Sequence, residues 1–349
     1  MLTGSVKAES SSVVRLSVLD LSPVPAGSSP AQALHNSLDL ARHAEALGLT
    51  RYWLAEHHNA ASIASSAPEI MIGAVAAATR AIRVGSGGIM LPNHSALKVA
   101  ETFRALHALH PGRIDLGLGR AAGTDSRTAL ALRRSKEHLG ADRFPAQLAE
   151  LLALLGSDPD PTTPFGPLKA VPTGVPAPEL HVLGASPEGA AFAGQQGLGF
   201  AYAHHFAPEG AAEAVARYRA EFRPSAFRGA PYAIVATAVV CGVTDAHAEE
   251  LASSGDLGWL RFGQGLRDLP LPSVEEAKRY RFDADEEQLR QVHRARVTVG
   301  SAERAVGALR SLAREAGADE VMVTIGIHDH EERKRAYTRL AEGLGVAPR

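Results

Sequence analysis

Apolar residues fall into two alternating rhythms along this chain: short β-branched or leucine-rich runs, and longer stretches with helical period. The short runs cover residues 13–21, 51–55, 81–86, 113–118, 180–183, 198–203, 232–243 and 320–326, and read as strands. Between them the longer period predicts helices over 30–47, 66–79, 95–109, 145–155, 187–195, 208–222, 246–253 and 301–316, with a last one over 331–344. Local signals mark several ends. Ser29 stands as a cap before Pro30, Gly48 stops the first helix, and Ser66 has Glu69 at capping-box spacing. Parallel strands need helical crossovers, so eight strand–helix units predict an α/β fold of the (β/α)8 TIM-barrel type.

Two stretches break the rhythm. One, after strand four, contains a Pro-rich run over 157–178; the other, after strand seven, is a polar, poorly patterned segment over 257–296. Neither carries a core-sized apolar pattern, so residues 13–349 read as one domain and residues 1–12 as a disordered tail. The second insertion lies on the active-site face of such a barrel, where long loops act as lids.

Composition narrows the function. Hydrophobic content of 45% and charged content of 21% suit a soluble globular protein. A formal net charge of −2 gives no electrostatic footprint for nucleic acid or an anionic membrane. The single cysteine, Cys241, excludes an internal disulfide and a cysteine-rich zinc cluster. Its neighbours Val239, Val240, Gly242 and Val243 make it a buried structural thiol. Residues 1–12 lack an apolar leader, and no run approaches the roughly 20 apolar residues that span a bilayer, so a cytoplasmic location is expected.

Barrel enzymes place their chemistry where strands end. The second strand ends in Glu56-His57-His58-Asn59, an abrupt change from the apolar Tyr52-Trp53-Leu54-Ala55. Imidazoles there titrate near neutrality. The third end carries Gly87-Gly88 and then Asn93-His94; either the backbone bulges at the glycine pair or something flat lies against it. The fourth carries Gly119-Arg120-Ala121-Ala122, the sixth His204-His205, and the last His328-Asp329-His330. After the fifth, Gly184-Ala185-Ser186-Pro187-Glu188-Gly189 opens a helix whose free N–H groups, with Arg120 nearby, suit a phosphate; a plain helix cap is the alternative. Gly117-Leu118-Gly119-Arg120-Ala121-Ala122 also fits the G-x-G-x-x-A dinucleotide fingerprint. However, Gly123-Thr124-Asp125 prolongs the loop where that motif would start its helix. A metal hydrolase would want an H-x-H pair at an early strand, whereas the pair here is His328 and His330, so no metal ligands are assigned.

Taken in order, these strand ends resemble the luciferase-like, flavin-dependent monooxygenases. The resemblance rests on Tyr-Trp-Leu-Ala-Glu-His-His-Asn at 52–59, Val-Gly-Ser-Gly-Gly-Ile-Met-Leu-Pro-Asn-His at 84–94, His-Pro-Gly-Arg-Ile-Asp-Leu-Gly-Leu-Gly-Arg at 110–120 and Gly-Ala-Ser-Pro-Glu-Gly at 184–189. It implies reduced FMN as co-substrate, delivered by a separate NAD(P)H:flavin reductase, and oxygenation of a small organic substrate through a peroxyflavin. It implies a ring site against Gly87-Gly88 with a non-proline cis bond there, and a phosphate site at Gly119, Arg120, Ala185, Ser186 and Gly189. His57 matches the reactive-centre histidine, with Glu56 orienting it. The family's pairing of subunits implies a homodimer through Ala-rich helices over 74–78 and 96–108. Ala185 and Gly119 stand where bacterial luciferase has Glu and Cys, so the likeness is to the broader group and implies no light emission. Alternatives are an F420-dependent hydride-transfer enzyme and a flavin-binding protein without turnover.

Overall fold

Parallel pairing builds the molecule from β1 (Arg15–Asp20) outward. The computed structural model describes residues 14–134, 143–156 and 168–348. The expected tail over 1–12 and the first half of the Pro-rich run over 157–178 lie outside them. Among the described residues, β1 pairs with β2 (Arg51–Leu54), and the series continues through β3 (Arg83–Met90), β4 (Ile114–Gly119), β5 (Glu179–Gly184), β6 (Gly199–Ala203) and β7 (Ala233–Gly242). β7 then pairs with β9 (Glu320–Thr324), which returns to β1 and closes an eight-stranded parallel TIM barrel.

Helices fill the crossovers: α1 (Pro30–Ala46), α2 (Pro68–Ala78), α3 (Ala96–Leu109), α4 (Ser126–Arg133), α5 (Phe144–Leu155), α6 (Pro187–Gln195) and α7 (Ala211–Glu221). They are followed by α8 (Asp245–Gly263), α9 (Val274–Arg279), α10 (Ala284–Arg294), α11 (Ala302–Ala316) and α12 (His330–Leu344). Ser29 caps α1 as expected, accepting from the Gln32 amide at 3.1 Å. The capping box at Ser66 does not form: α2 starts one residue later on Ala67, which has no side-chain acceptor. No described helix is long and apolar enough to cross a membrane.

Period-two alternation divides the side chains. Tyr52 and Leu54 face the helices in the main core, whereas Trp53 and Ala55 join Leu19, Ala201, Ile234, Ala236 and Met322 inside the barrel. At the amino-terminal base the interior is ionic. Arg51 reaches Asp115 at 2.7 Å, Glu320 at 3.0 Å and Glu179 at 3.2 Å, and the Trp53 indole donates to Asp115 at 2.9 Å. Cys241 is buried, and burial pushes its thiol up to about 11.

The second insertion differs from the sequence reading. Residues 257–296 are mostly helical, because α8 continues past 253 with Leu257 and Leu260 packing on Ala277. α10 buries no residue and holds its start with a true capping box, Asp283 with Glu286, which explains its weak apolar pattern. Just past the segment comes β8 (Val297–Ser301), a strand outside the barrel paired with the far half of β7.

Candidate active site

Alternation along β2 decides what the Glu56-His57 pair can do. Arg51, Trp53 and Ala55 point to the barrel axis, so His57 comes next over the carboxyl-terminal mouth, while Glu56 follows Tyr52 and Leu54 outward. Glu56 therefore does not orient His57. Its fully buried carboxylate accepts from the Met90 amide at 2.8 Å, from His58 Nε2 at 2.9 Å, and from His94 Nε2 at 2.9 and 3.0 Å. Asn93 Nδ2 adds a longer contact at 3.4 Å. Burial pushes the Glu56 carboxyl up, but the His58 and His94 hydrogen bonds outweigh it and hold it at about 2. Burial likewise opposes charge on His94, and Glu56 reverses that and raises its pKa. The chain thus spends this carboxylate on tying the β2 end to the β3 end.

His57 is left to the mouth. Its backbone amide donates to the Ser65 carbonyl at 2.9 Å, while Nδ1 is buried with no hydrogen-bond partner among the described residues. Burial, with His58 beside it, lowers its pKa to about 4, so the ring is neutral at neutral pH. His205, past the end of β6, lies close enough to contribute to that shift. Its Nδ1 donates to the Ala236 carbonyl at 3.0 Å, which leaves Nε2 as the acceptor nitrogen, and burial lowers its pKa also.

The glycine pair at the β3 end sits in a break of the strand register. The register passes from Ser86 opposite Leu116 to Ile89 opposite Leu118, so Gly87 and Gly88 together face Gly117 in a bulge. Their joining peptide is cis. A Cβ on Gly87 would come within 2.7 Å of Leu19 Cδ1, and one on Gly88 within 2.8 Å of the Gly117 carbonyl. Backbone packing therefore demands glycine at 88, whereas at 87 the close atom is the movable end of a side chain.

β4 pairs with β5 as far as Leu118 opposite Val182, which sets Gly119-Arg120 beside Gly184-Ala185-Ser186. Gly119 is buried, with Met90 Sδ only 2.6 Å from where a Cβ would be, and Arg120 follows exposed. Ser186 caps α6, accepting from the Gly189 amide at 3.2 Å. The arrangement offers a cation, a hydroxyl and a helix start on one rim.

Sequence reasoning passed over His94 and Asn93 as site members. The signal was a buried-prone carboxylate at one strand end facing two polar residues at the next. It also passed over the knitting of the loops after β2 and β4, where Asn59 Nδ2 donates to Asp125 at 3.0 Å and Thr124 Oγ1 to the His58 carbonyl at 3.1 Å. His328 and His330 do not converge: one reaches the Ala26 carbonyl at 3.0 Å, the other Asp39 at 2.9 Å.

A closed parallel barrel with its reactive side chains gathered at the carboxyl-terminal strand ends is the layout of a TIM-barrel enzyme. The family model for luciferase-like monooxygenases matches residues 14–320, and the chain belongs to that family of flavin-dependent monooxygenases. Protein YceB of Bacillus subtilis (strain 168) is 44% identical over 331 residues, covering 95% of this chain and 99% of that protein. A luciferase-like monooxygenase of Escherichia coli (strain K12) is 40% identical over 326 residues, covering 93% and 95%. The crystal structure of apo-MsnO8 superposes with a TM-score of 0.86 at 40% identity, covering 96% of this chain and all of that one, 100%.

Proposed function

We propose that the protein takes reduced FMN from a separate reductase and uses it with molecular oxygen to oxygenate a small organic substrate. The observation that carries this reading is the buried, partnerless Nδ1 of His57 at the mouth of the barrel. A buried polar atom of this kind needs a partner, and a ligand over the mouth supplies one. The donor set fits FMN. Arg120 with the amide end of α6, at Ser186 and Gly189, would hold the phosphate, and the Gly87-Gly88 backbone, with Gly119 and Ala185 at the neighbouring strand ends, would face the ring. A relative 32% identical over 338 residues is named N-acetyl-S-alkylcysteine monooxygenase, which supports oxygenation of a small molecule.

Reduced flavin, when bound, supplies the electrons that activate oxygen; the protein supplies position, dryness and electrostatics. His57 contributes a neutral imidazole, able to donate at one ring nitrogen and accept at the other. It holds a hydrogen bond to the reacting centre without placing a fixed positive charge there. Glu56 acts through Met90, His58 and His94, fixing the β3 backbone that would face the ring. Homodimer formation through α2 and α3 belongs to the same reading, with Ile70 and Leu109 exposed on that side.

Anaerobic titration of the purified protein with reduced FMN, followed by mixing with oxygen under absorbance, tests the proposal. Saturable binding and a transient band that outlasts the oxidation of free reduced flavin are expected, with the band shortened at least ten-fold in His57→Ala. Binding without a transient, together with turnover on reduced F420, would replace FMN by the deazaflavin. Absence of binding would overturn the flavin assignment.

A further inference from the structure

The closed strand circuit separates the mouth into two arcs. Starting from β2, with His57 at its end, one arc runs through β3, β4 and β5 to β6, with His205 at its end; the other runs through β1, β9 and β7 to the same β6. The proposed flavin residues all lie on the first arc. The second is backed by a cavity of about 250 Å³. Leu21, Ala238, Val240 and Thr324 wall it from the strand ends, and Ala252, Gly255, Asp256 and Trp259 present one face of α8 to it. Ser62 and Ile63, five and six residues beyond His57, complete the wall on the β2 side.

The cavity exists because β7 and β9 part. Their pairing ends at Ala238 opposite Thr324, and β7 continues against β8 instead. Backbone ties hold the surroundings in place: the Ala61 amide donates to Arg267 at 2.7 Å and the Leu271 amide to Val24 at 2.8 Å. The helical insertion is thus fastened to the loop that begins at His57.

Charged side chains reach the cavity already neutralised. Asp256 accepts from Arg294 Nε at 2.7 and 2.8 Å and from His293 at 3.3 Å, with Arg290 at 3.5 Å. Arg333 donates to Asp20 at 2.6 Å and to the Ile325 carbonyl at 3.0 Å. An ionic ligand would have to break one of these buried pairs, which is costly. Apart from Ser62 and Thr324, the lining around them is aliphatic and aromatic. An apolar cavity of about 150 Å³ already accepts benzene, so this one holds a somewhat larger group.

We propose that this cavity receives an uncharged, apolar part of the oxygenated substrate, the size of one substituted ring or a short branched alkyl group. The inference rests on the flavin reading for the word substrate, and on the cavity alone for the ligand's chemistry. Fluorine NMR of the whole protein with α,α,α-trifluorotoluene and its charged relative 4-(trifluoromethyl)benzoate separates the two. Trifluorotoluene is expected to show saturable line broadening, with benzoate at least ten-fold weaker. Ala252→Phe and Ala238→Phe fill the cavity from opposite walls, and each should weaken trifluorotoluene at least ten-fold while retaining reduced-FMN binding. Trifluorotoluene should also change, by at least two-fold, the rate at which oxygen consumes bound reduced FMN in the wild type but not in Ala252→Phe. Equal binding in both filled variants, comparable benzoate binding, or an unchanged oxygen rate would overturn the proposal. Reduced-FMN titration of the same wild-type sample shows separately whether the flavin reading itself has failed.

Discussion

Replacing Glu56 by glutamine keeps the side chain's shape and removes the charge toward which Met90, His58, His94 and Asn93 all direct N–H groups. A carboxyl brought from an ordinary 4.5 to about 2 favours the folded, ionised state by about 3 kcal/mol at neutral pH. Because the folded value is the lower one, this contribution is complete above pH 4.5 and is lost as pH falls from there toward 2. His94 moves the opposite way: Glu56 raises it above 6.5, so its share is complete below 6.5 and fades as pH rises past its folded value. The two describe one interaction and are not added. Glu56→Gln is therefore expected to lose about 3 kcal/mol of unfolding free energy at pH 7, and to show a shallower decline between pH 4.5 and 2, because Glu56's share of it is gone while those of Asp20, Asp115 and Glu179 remain. Urea unfolding at several pH values measures both effects. A histidine titration by NMR should find His94 lowered in the variant, since burial then acts with far less opposition. A cost below about 1 kcal/mol, an unchanged acid slope or an unmoved His94 would each refute the account.

Two further substitutions probe the barrel itself. Arg51→Met leaves Asp115 and Glu320 buried without the cation they share, and should cost about 3–5 kcal/mol in urea unfolding; a near-neutral result would mean that Arg83, which pairs with Asp115 and with Glu179 at 2.9 Å, takes over the compensation. Gly88→Ala drives a Cβ to 2.8 Å from the Gly117 carbonyl, a backbone atom that cannot rotate away. It should cost about 1–3 kcal/mol, and a loss below 0.5 kcal/mol would show that the bulge relaxes at little cost.

The barrel was legible because its strands are nearly continuous apolar runs and its crossovers keep helical period. Seven of the eight strand ends fall within two residues of where those runs break. What the sequence hid has physical causes. β3 runs four residues past the predicted 86 because Ser86-Gly87-Gly88 lacks apolar character while pairing through a bulge. α10 was lost in the 257–296 segment because it lies on the surface with nothing buried, and α8 changes from a crossover to a cavity wall midway; β8, just past that segment, is only five residues long. The role of Glu56 was misjudged by adjacency: neighbours on a strand point to opposite faces. The partners it does have, His58 and His94, lie two and 38 positions away. Alternation alone, applied from Trp53, places His57 at the mouth and Glu56 outside it.

That same alternation sets the electrostatics of the two barrel ends. Arg51 and His57 both sit at inward positions of one extended segment, yet the first is charged and the second neutral. At the base three carboxylates meet Arg51, so its burial is compensated and its pKa is driven up. At the mouth the nearest carboxylate, Glu56, faces the other way and is already committed to His58 and His94. His57 therefore meets burial and a neighbouring imidazole without an anion on its own face, and stays neutral at physiological pH. A fixed cation over the mouth would bind any anionic species there, in the ground state as in the reaction, and would thereby lower its reactivity. A neutral imidazole supplies a hydrogen bond that strengthens only as charge develops opposite it. On the proposed reading, it is the outward turn of Glu56 that suits His57 to that work.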